Sequence, residues 1–291
     1  ERAVQSPVQQ SFLTTVAAPA PPLPRHQLLQ TSRRDLFRNP KNSRPRTMGA
    51  VHGVVLKYVG LTAVASAALA LTPNTSYARY PLVVVAVTNL IISALFIADR
   101  GTFLLGKDHR TGRSPLPYYA VWAGFVVPTW LYTKIHTVLG TGHGIPEATE
   151  VADGWWLGGR YADKAPGRPD RWAGCLDLTC ELPERCMEMT DAYKLVRLWD
   201  GAPPSPALVE EAARFCVAER AKGPVLVHCA HGRGRSTTVM CACLAKAGLF
   251  PDWQTAFAAC QLKRPCVRLN AKMRRVLEAW EREYPTRSKS P

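Results

Sequence analysis

Cys229 follows the run Val225-Leu226-Val227-His228 and precedes Ala230-His231-Gly232-Arg233-Gly234, which closes on Arg235-Ser236. A cysteine attacks only as the thiolate, and a free thiol with a pKa near ~8.5 is mostly protonated at neutral pH. A helix N-terminus lowers that value through its unpaired N–H groups and the positive end of its dipole. Gly232 and Gly234 let successive backbone N–H groups turn inward as an anion nest, able to hold the oxygens of a phosphate. Arg235 adds a planar fork suited to two of those oxygens. Sulfur attack on phosphorus, with the charge held by amides and a guanidinium, is the chemistry these types at this spacing support. The nucleotide loop G-x-x-x-x-G-K-[ST] is absent, and Gly232-Arg233-Gly234 does not fit it.

To place Cys229, the chain must run a strand into a helix. Val225–His228 reads as the strand, and Ser236 to Ala247 as the helix, closed by Gly248. Ser205-Pro206 caps a helix running to about Lys222, with Leu208, Ala212 and Phe215 marking one face. Met273, Val276, Leu277 and Trp280 mark the face of a last helix. The expected fold class is α/β: a central mixed sheet flanked by helices, preceded by N-terminal transmembrane helices, with the site at the C-terminal end of Val225–His228.

His-Cys-x5-Arg-Ser resembles the signature of the cysteine-based protein tyrosine phosphatase superfamily, in its dual-specificity branch. Trp155-Trp156-Leu157-Gly158-Gly159 is similar to the opening strand of those domains, and Leu176-Asp177-Leu178-Thr179 to the strand that follows. Lys263-Arg264-Pro265-Cys266-Val267, then Asn270, resembles their C-terminal segment. The resemblance runs from about Glu147 to Tyr284. It implies a phosphocysteine mechanism in which Cys229 attacks phosphorus, Arg235 and the loop residues Ala230 to Gly234 hold the phosphate, and Ser236 supports the departing thiolate. His228 then supports the loop by hydrogen bonding. No metal or other cofactor is called for.

Expelling an alcohol or phenol requires a proton donor within hydrogen-bond reach on a mobile loop. Asp200, in Leu198-Trp199-Asp200-Gly201-Ala202-Pro203-Pro204, is the candidate acid, 29 residues before Cys229. Asp177 and Asp191 are the alternatives, and both read as structural. Ser236 can equally cap its helix, Cys229 can be a buried small hydrophobe, and Arg233 can be a solvent-facing charge.

Residues 1–145 carry 15 Lys+Arg against 4 Asp+Glu, and residues 146–291 carry 22 against 18. The positive excess therefore sits mainly beside the apolar segments, which points to membrane surfaces or import signals rather than nucleic acid. The nine cysteines follow no metal-ligand pattern, and a thiolate enzyme needs a reducing compartment. Residues 1–47 are expected to be a disordered basic segment resembling an organelle transit peptide, with Met48 a candidate start. Residues 48–145 form the expected membrane region of two to three helices, 146–285 the catalytic domain, and 286–291 a tail. The apolar stretches are Tyr58 to Thr72, with Lys57 at its edge, then Tyr80 to Ala98, and the aromatic-rich Leu116 to Val138. The loop bearing Arg100, Lys107, Arg110 and Arg113 is expected on the positive side. An interfacial third stretch then keeps the catalytic domain on a reducing face, whereas a third span moves it across. The organelle stays open among chloroplast, mitochondrion and endomembrane.

The expected function is a membrane-tethered phosphatase of the dual-specificity type, acting on phosphorylated protein at Tyr and Ser/Thr. The alternative is a lipid phosphatase, because Arg233 adds a cation where phosphoinositide and phosphatidylglycerophosphate phosphatases are also basic. His231 resembles the Cys-x-His-Gly of RNA 5′-triphosphatases, but Arg233 replaces the aromatic usual there. A non-catalytic phosphate-binding module is the third class.

Overall fold

The computed structural model describes residues 50–285. The basic segment over 1–47, Met48 and the tail over 286–291 lie outside the described residues. Five strands form one mixed sheet: β1 (Ala148–Ala152), β2 (Trp155–Gly158), β3 (Trp172–Asp177), β4 (Thr190–Leu195) and β5 (Val225–His228). Their order is β1-β2-β5-β3-β4, with β1 antiparallel to β2 and every other pairing parallel. The β-branched run of β5 suits this central position, because a parallel strand covered on both faces takes apolar residues at consecutive positions. Gly158 of β2 and Asp177 of β3 both lie opposite His228. Three strands therefore end at one level, the level at which the chain turns into the cysteine loop.

Helices α5 (Pro206–Arg220), α6 (Arg235–Lys246), α7 (Trp253–Lys263) and α8 (Ala271–Glu283) flank the sheet. Ser205, Asp252 and Asn270 cap α5, α7 and α8 by accepting from the amides of Leu208, Thr255 and Met273. The core face of α5 differs from the expected one. Val209, Ala212, Ala213 and Cys216 are buried, while Leu208 is 38% exposed. Val209, in the same first turn, is fully buried in place of Leu208, so the apolar stripe is turned by one residue. The α8 face is built on Met273, Leu277 and Trp280, with Val276 at its margin. Every residue of α6 except Lys246 is buried. All nine cysteines are free and buried.

The N-terminal half contributes α1 (Ala50–Leu71), α2 (Arg79–Ile97), α3 (Leu116–Val121) and α4 (Ala123–Gly142). Among the described residues two helices are long and apolar enough to cross a membrane, over Gly53–Leu71 and Arg79–Ile97. Both expose large apolar side chains, including Val64, Leu71, Leu90 and Ile97. The third apolar stretch divides at Trp122 into α3 and α4, and α4 continues through Pro128. α4 lies against α2, where Asn89 donates to the Gly124 carbonyl at 2.8 Å and a Cβ on Gly124 would strike the α2 backbone.

This helical half is packed onto the sheet domain. Tyr58, Ile92, Phe96, Leu105 and Phe125 form one buried cluster with Cys180 and Trp199. Lys107 departs from the expected positive loop. It is 1% exposed and ion-paired with Asp177, and it donates to Thr179 Oγ1 at 2.9 Å. Its charge answers a buried carboxylate rather than a membrane surface.

Candidate active site

The turn after β5 is fixed from outside by its carbonyls. Ala230 O accepts from the Arg160 amide, Gly232 O from Arg264 Nε, Arg233 O from the Arg268 amide and Gly234 O from the Thr238 amide, at 2.7 to 3.1 Å. His231 O accepts more weakly from Arg264 Nη2 at 3.4 Å. With the oxygens taken by the scaffold, the loop N–H groups are left to the concave side, the arrangement of an anion nest. Gly232 has φ +67°, and a Cβ there would lie 2.5 Å from the carbonyl carbon of Gly158. A Cβ on Gly159 would likewise come within 3.0 Å of Ala230 O. The Gly158-Gly159 pair therefore lets β2 seat the loop directly on its backbone.

Cys229 lies at the base of this loop, 3% exposed, with Sγ 3.3 Å from Ser236 Oγ. Burial pushes the thiol up. The Arg235 guanidinium, the Ser236 hydroxyl and the amides of Ser236 and Arg233 outweigh it and bring the thiol below its ordinary value. Ser236 does not cap its helix, since Gly234 occupies the cap position. Its hydroxyl faces the sulfur instead.

Arg235 is held on three sides. Glu181 binds it bidentately (Nη2–Oε1 2.7 Å, Nη1–Oε2 3.1 Å), and Nη1 also donates to the carbonyls of Leu178 and Leu198. Nη2 lies 3.2 Å from Asp200 Oδ1. Nε is buried and has no partner in the protein. A buried guanidinium N–H without an acceptor is costly, and an anion oxygen would satisfy it.

Asp200, its side chain 30% exposed, is the candidate carboxylate that reaches this centre. Asp177 is buried at the end of β3 and serves Lys107, while Asp191 is a surface partner of Arg171 at 2.6 Å. Burial raises the Asp200 carboxyl, but Arg235, His231 and Lys57 hold it below the usual range. Its loop is anchored at both flanks. The Trp199 indole donates to Arg100 O at 2.9 Å and its ring lies 6.1 Å from Phe96, while Asn270 Nδ2 donates to Gly201 O at 2.9 Å.

His228 lies beneath the nucleophile with Nε2 2.7 Å from Glu184 Oε2. Burial disfavours its charge, yet Glu184 and then Asp177 prevail and raise its pKa to about 9. His231, at the rim, is lowered to about 4 by burial, with His136, Arg235 and Arg233 adding to it against Asp200. Its ring meets two residues of α4, Tyr132 edge-on at 5.6 Å and His136 at 4.6 Å. Cys175, Glu184 and His228 offer ligand atoms within 4.8 Å of one another, but the His228–Glu184 pair closes that space directly.

Sequence reasoning missed Glu181, Glu184 and the contacts from α1 and α4. The signal for the two glutamates was available. Cys180-Glu181-Leu182-Pro183-Glu184 follows directly on a strand that pairs with β5, so carboxylates placed there arrive beside the loop. Arg264 was noted only as part of a segment, and its hold on the loop carbonyls could not be read from spacing.

No family model matches the chain, and no curated protein does. Solved structures do. A variant of human DUSP28 is 24% identical over 47% of this chain and 96% of its own, with a TM-score of 0.42. A mouse dual-specificity phosphatase complexed with zinc tungstate is 24% identical over 47% and 88%, also at 0.42. The neighbours are dual-specificity phosphatases. They belong to the cysteine-based protein tyrosine phosphatase superfamily and include PTPMT1 in complex with PI(5)P, 16% identical over 47% and 96% at 0.39. The likeness extends to less than half of this chain.

Proposed function

We propose that the chain is a membrane-tethered, cysteine-dependent phosphomonoesterase of the dual-specificity phosphatase type. The observation that carries this reading is the convergence of three groups. A buried, acidified thiol lies 3.3 Å from a hydroxyl, at the base of a loop whose carbonyls all face away. Beside it stands an arginine oriented by a bidentate glutamate and retaining one unanswered N–H.

The Cys229 thiolate attacks phosphorus, an S–P bond forms and the bond to the leaving oxygen breaks. Asp200 delivers a proton to that oxygen. Arg235 and the loop amides hold the charge on the phosphoryl oxygens. A water then attacks the phosphocysteine, Asp200 takes its proton, the S–P bond breaks and the Ser236 hydroxyl meets the returning thiolate. In the free protein Asp200 is held below the usual range. A phosphate dianion on Arg235 offsets the guanidinium and brings like charge beside the carboxylate, and both effects raise it toward the protonated form the first step needs.

The test is turnover of an aryl phosphate by the full chain in detergent, beside Cys229→Ser. Release is expected to vanish in the variant, and survival of turnover would reject the mechanism.

A further inference from the structure

The mouth of the pocket is not built by the sheet domain alone. Lys57, expected at the edge of an apolar stretch, lies inside the first candidate span, Gly53–Leu71. A charge inside such a helix is costly unless it meets partners, and it marks a functional position by default. Its Nζ stands 4.7 Å over the Tyr58 ring and 4.8 Å over the Tyr132 ring of α4, and Tyr132 in turn meets the loop residue His231 edge-on at 5.6 Å. Glu181 is already spent on Arg235 through both oxygens, and Asp200 leans on the same guanidinium. Lys57 is therefore a cation at the mouth without a carboxylate of its own. Elsewhere around the two helices large apolar side chains are exposed, Leu56 and Val59 on α1 and Leu131 and Ile135 on α4.

Resting on the phosphatase reading above, we infer that the substrate is a membrane phospholipid with a phosphomonoester headgroup, and that Lys57 is a specificity-determining residue for it. A phosphate seated over Cys229 puts the rest of its molecule past the rim residue His231, which meets Tyr132 and His136 of α4, and Lys57 of α1 stands over that same Tyr132 ring. There a cation meets the oxygens next to the phosphoryl group, and apolar helix faces continue into the span. A phosphorylated protein loop would have to enter along surfaces that belong to lipid. A lipid phosphomonoester already lies there.

The experiment uses the full chain in phosphatidylcholine nanodiscs containing phosphatidic acid, with a soluble aryl phosphate and a phosphotyrosine peptide as comparison substrates. Phosphatidic acid is expected to exceed the peptide in kcat/KM by at least about tenfold, and Lys57→Met to lower the lipid-to-aryl ratio of kcat/KM by about tenfold. Lys57→Arg, which keeps the charge and controls for packing, should restore most of that ratio. Peptide turnover equal to or above lipid turnover overturns the proposal, as does an unchanged ratio in Lys57→Met. Aryl phosphate turnover that survives Cys229→Ser removes the phosphatase reading itself, and the lipid proposal with it. Aryl turnover that depends on Cys229 but comes with a peptide preference removes only the lipid proposal.

Discussion

The chemistry of the loop depends on charges that are buried and mutually compensated. Cys229 is acidified by Arg235, Arg235 is oriented by Glu181, and His228 is kept charged by Glu184. The last of these has a pH signature. The His228 pKa is raised from 6.5 to about 9, so the folded state binds its proton more tightly than the unfolded chain does. The resulting stability is fully present below pH ~6.5 and is lost as the pH rises through about 9. A thermal melt series should show a decline between about pH 7 and 9.5 that His228→Gln lacks, and parallel declines in the two proteins would contradict the assignment. Cys229, Arg235 and Ser236 were legible in the sequence because their spacing is the geometry: one turn of loop and the first turn of a helix. Glu181 and Glu184 were not, because their partners lie 54 and 44 residues away and only the β3–β5 pairing brings them together.

At the scale of elements, the loop bearing Asp200 is less free than its glycine and prolines suggest. Trp199 is inserted among α1, α2 and α4, and Asn270, which also caps α8, holds Gly201 by its carbonyl. Asn270 is thus a positioning residue for the proposed acid. Asn270→Ala should lower kcat more for alkyl than for nitrophenyl phosphates, by about tenfold or less, because only poor leaving groups need the proton. An equal loss on both would assign Asn270 to the helix cap alone. The sheet, the capped helices and the strand-to-helix turn could be read from periodicity and capping residues. The buried face of α5 runs through Val209, Ala213 and Cys216 rather than Leu208, because both Leu208 and Val209 are apolar and periodicity alone does not choose between them. The docking of α1 and α4 was not readable at all, since an apolar stripe carries the same signature whether lipid or protein covers it.

For the whole molecule, the boundary suggested by composition near residue 146 does not coincide with the packing. Lys107 from the helical half is the counterion of Asp177 in the sheet, and Phe96 and Tyr58 cover Trp199. Deleting everything before residue 146 leaves Asp177 buried without its cation, a loss of about 3–5 kcal/mol, and bares the Trp199 cluster. Residues 146–291 produced alone should therefore melt far below the full chain, and Asp177→Asn should recover part of the loss by removing the unpaired charge. A truncated protein as stable as the full chain would show that the two halves fold independently.

The central claim is that phosphoryl transfer passes through Cys229. The most direct measurement is rapid acid quench of the full-length Asp200→Ala protein during turnover of an aryl phosphate with a good leaving group, followed by mass spectrometry of the peptide containing residues 225–236. Because that variant lacks the proposed base for the second step, one phosphate is expected on Cys229, absent from Cys229→Ser. A phosphate found on another residue, or steady turnover with no covalent species on that peptide, would contradict it.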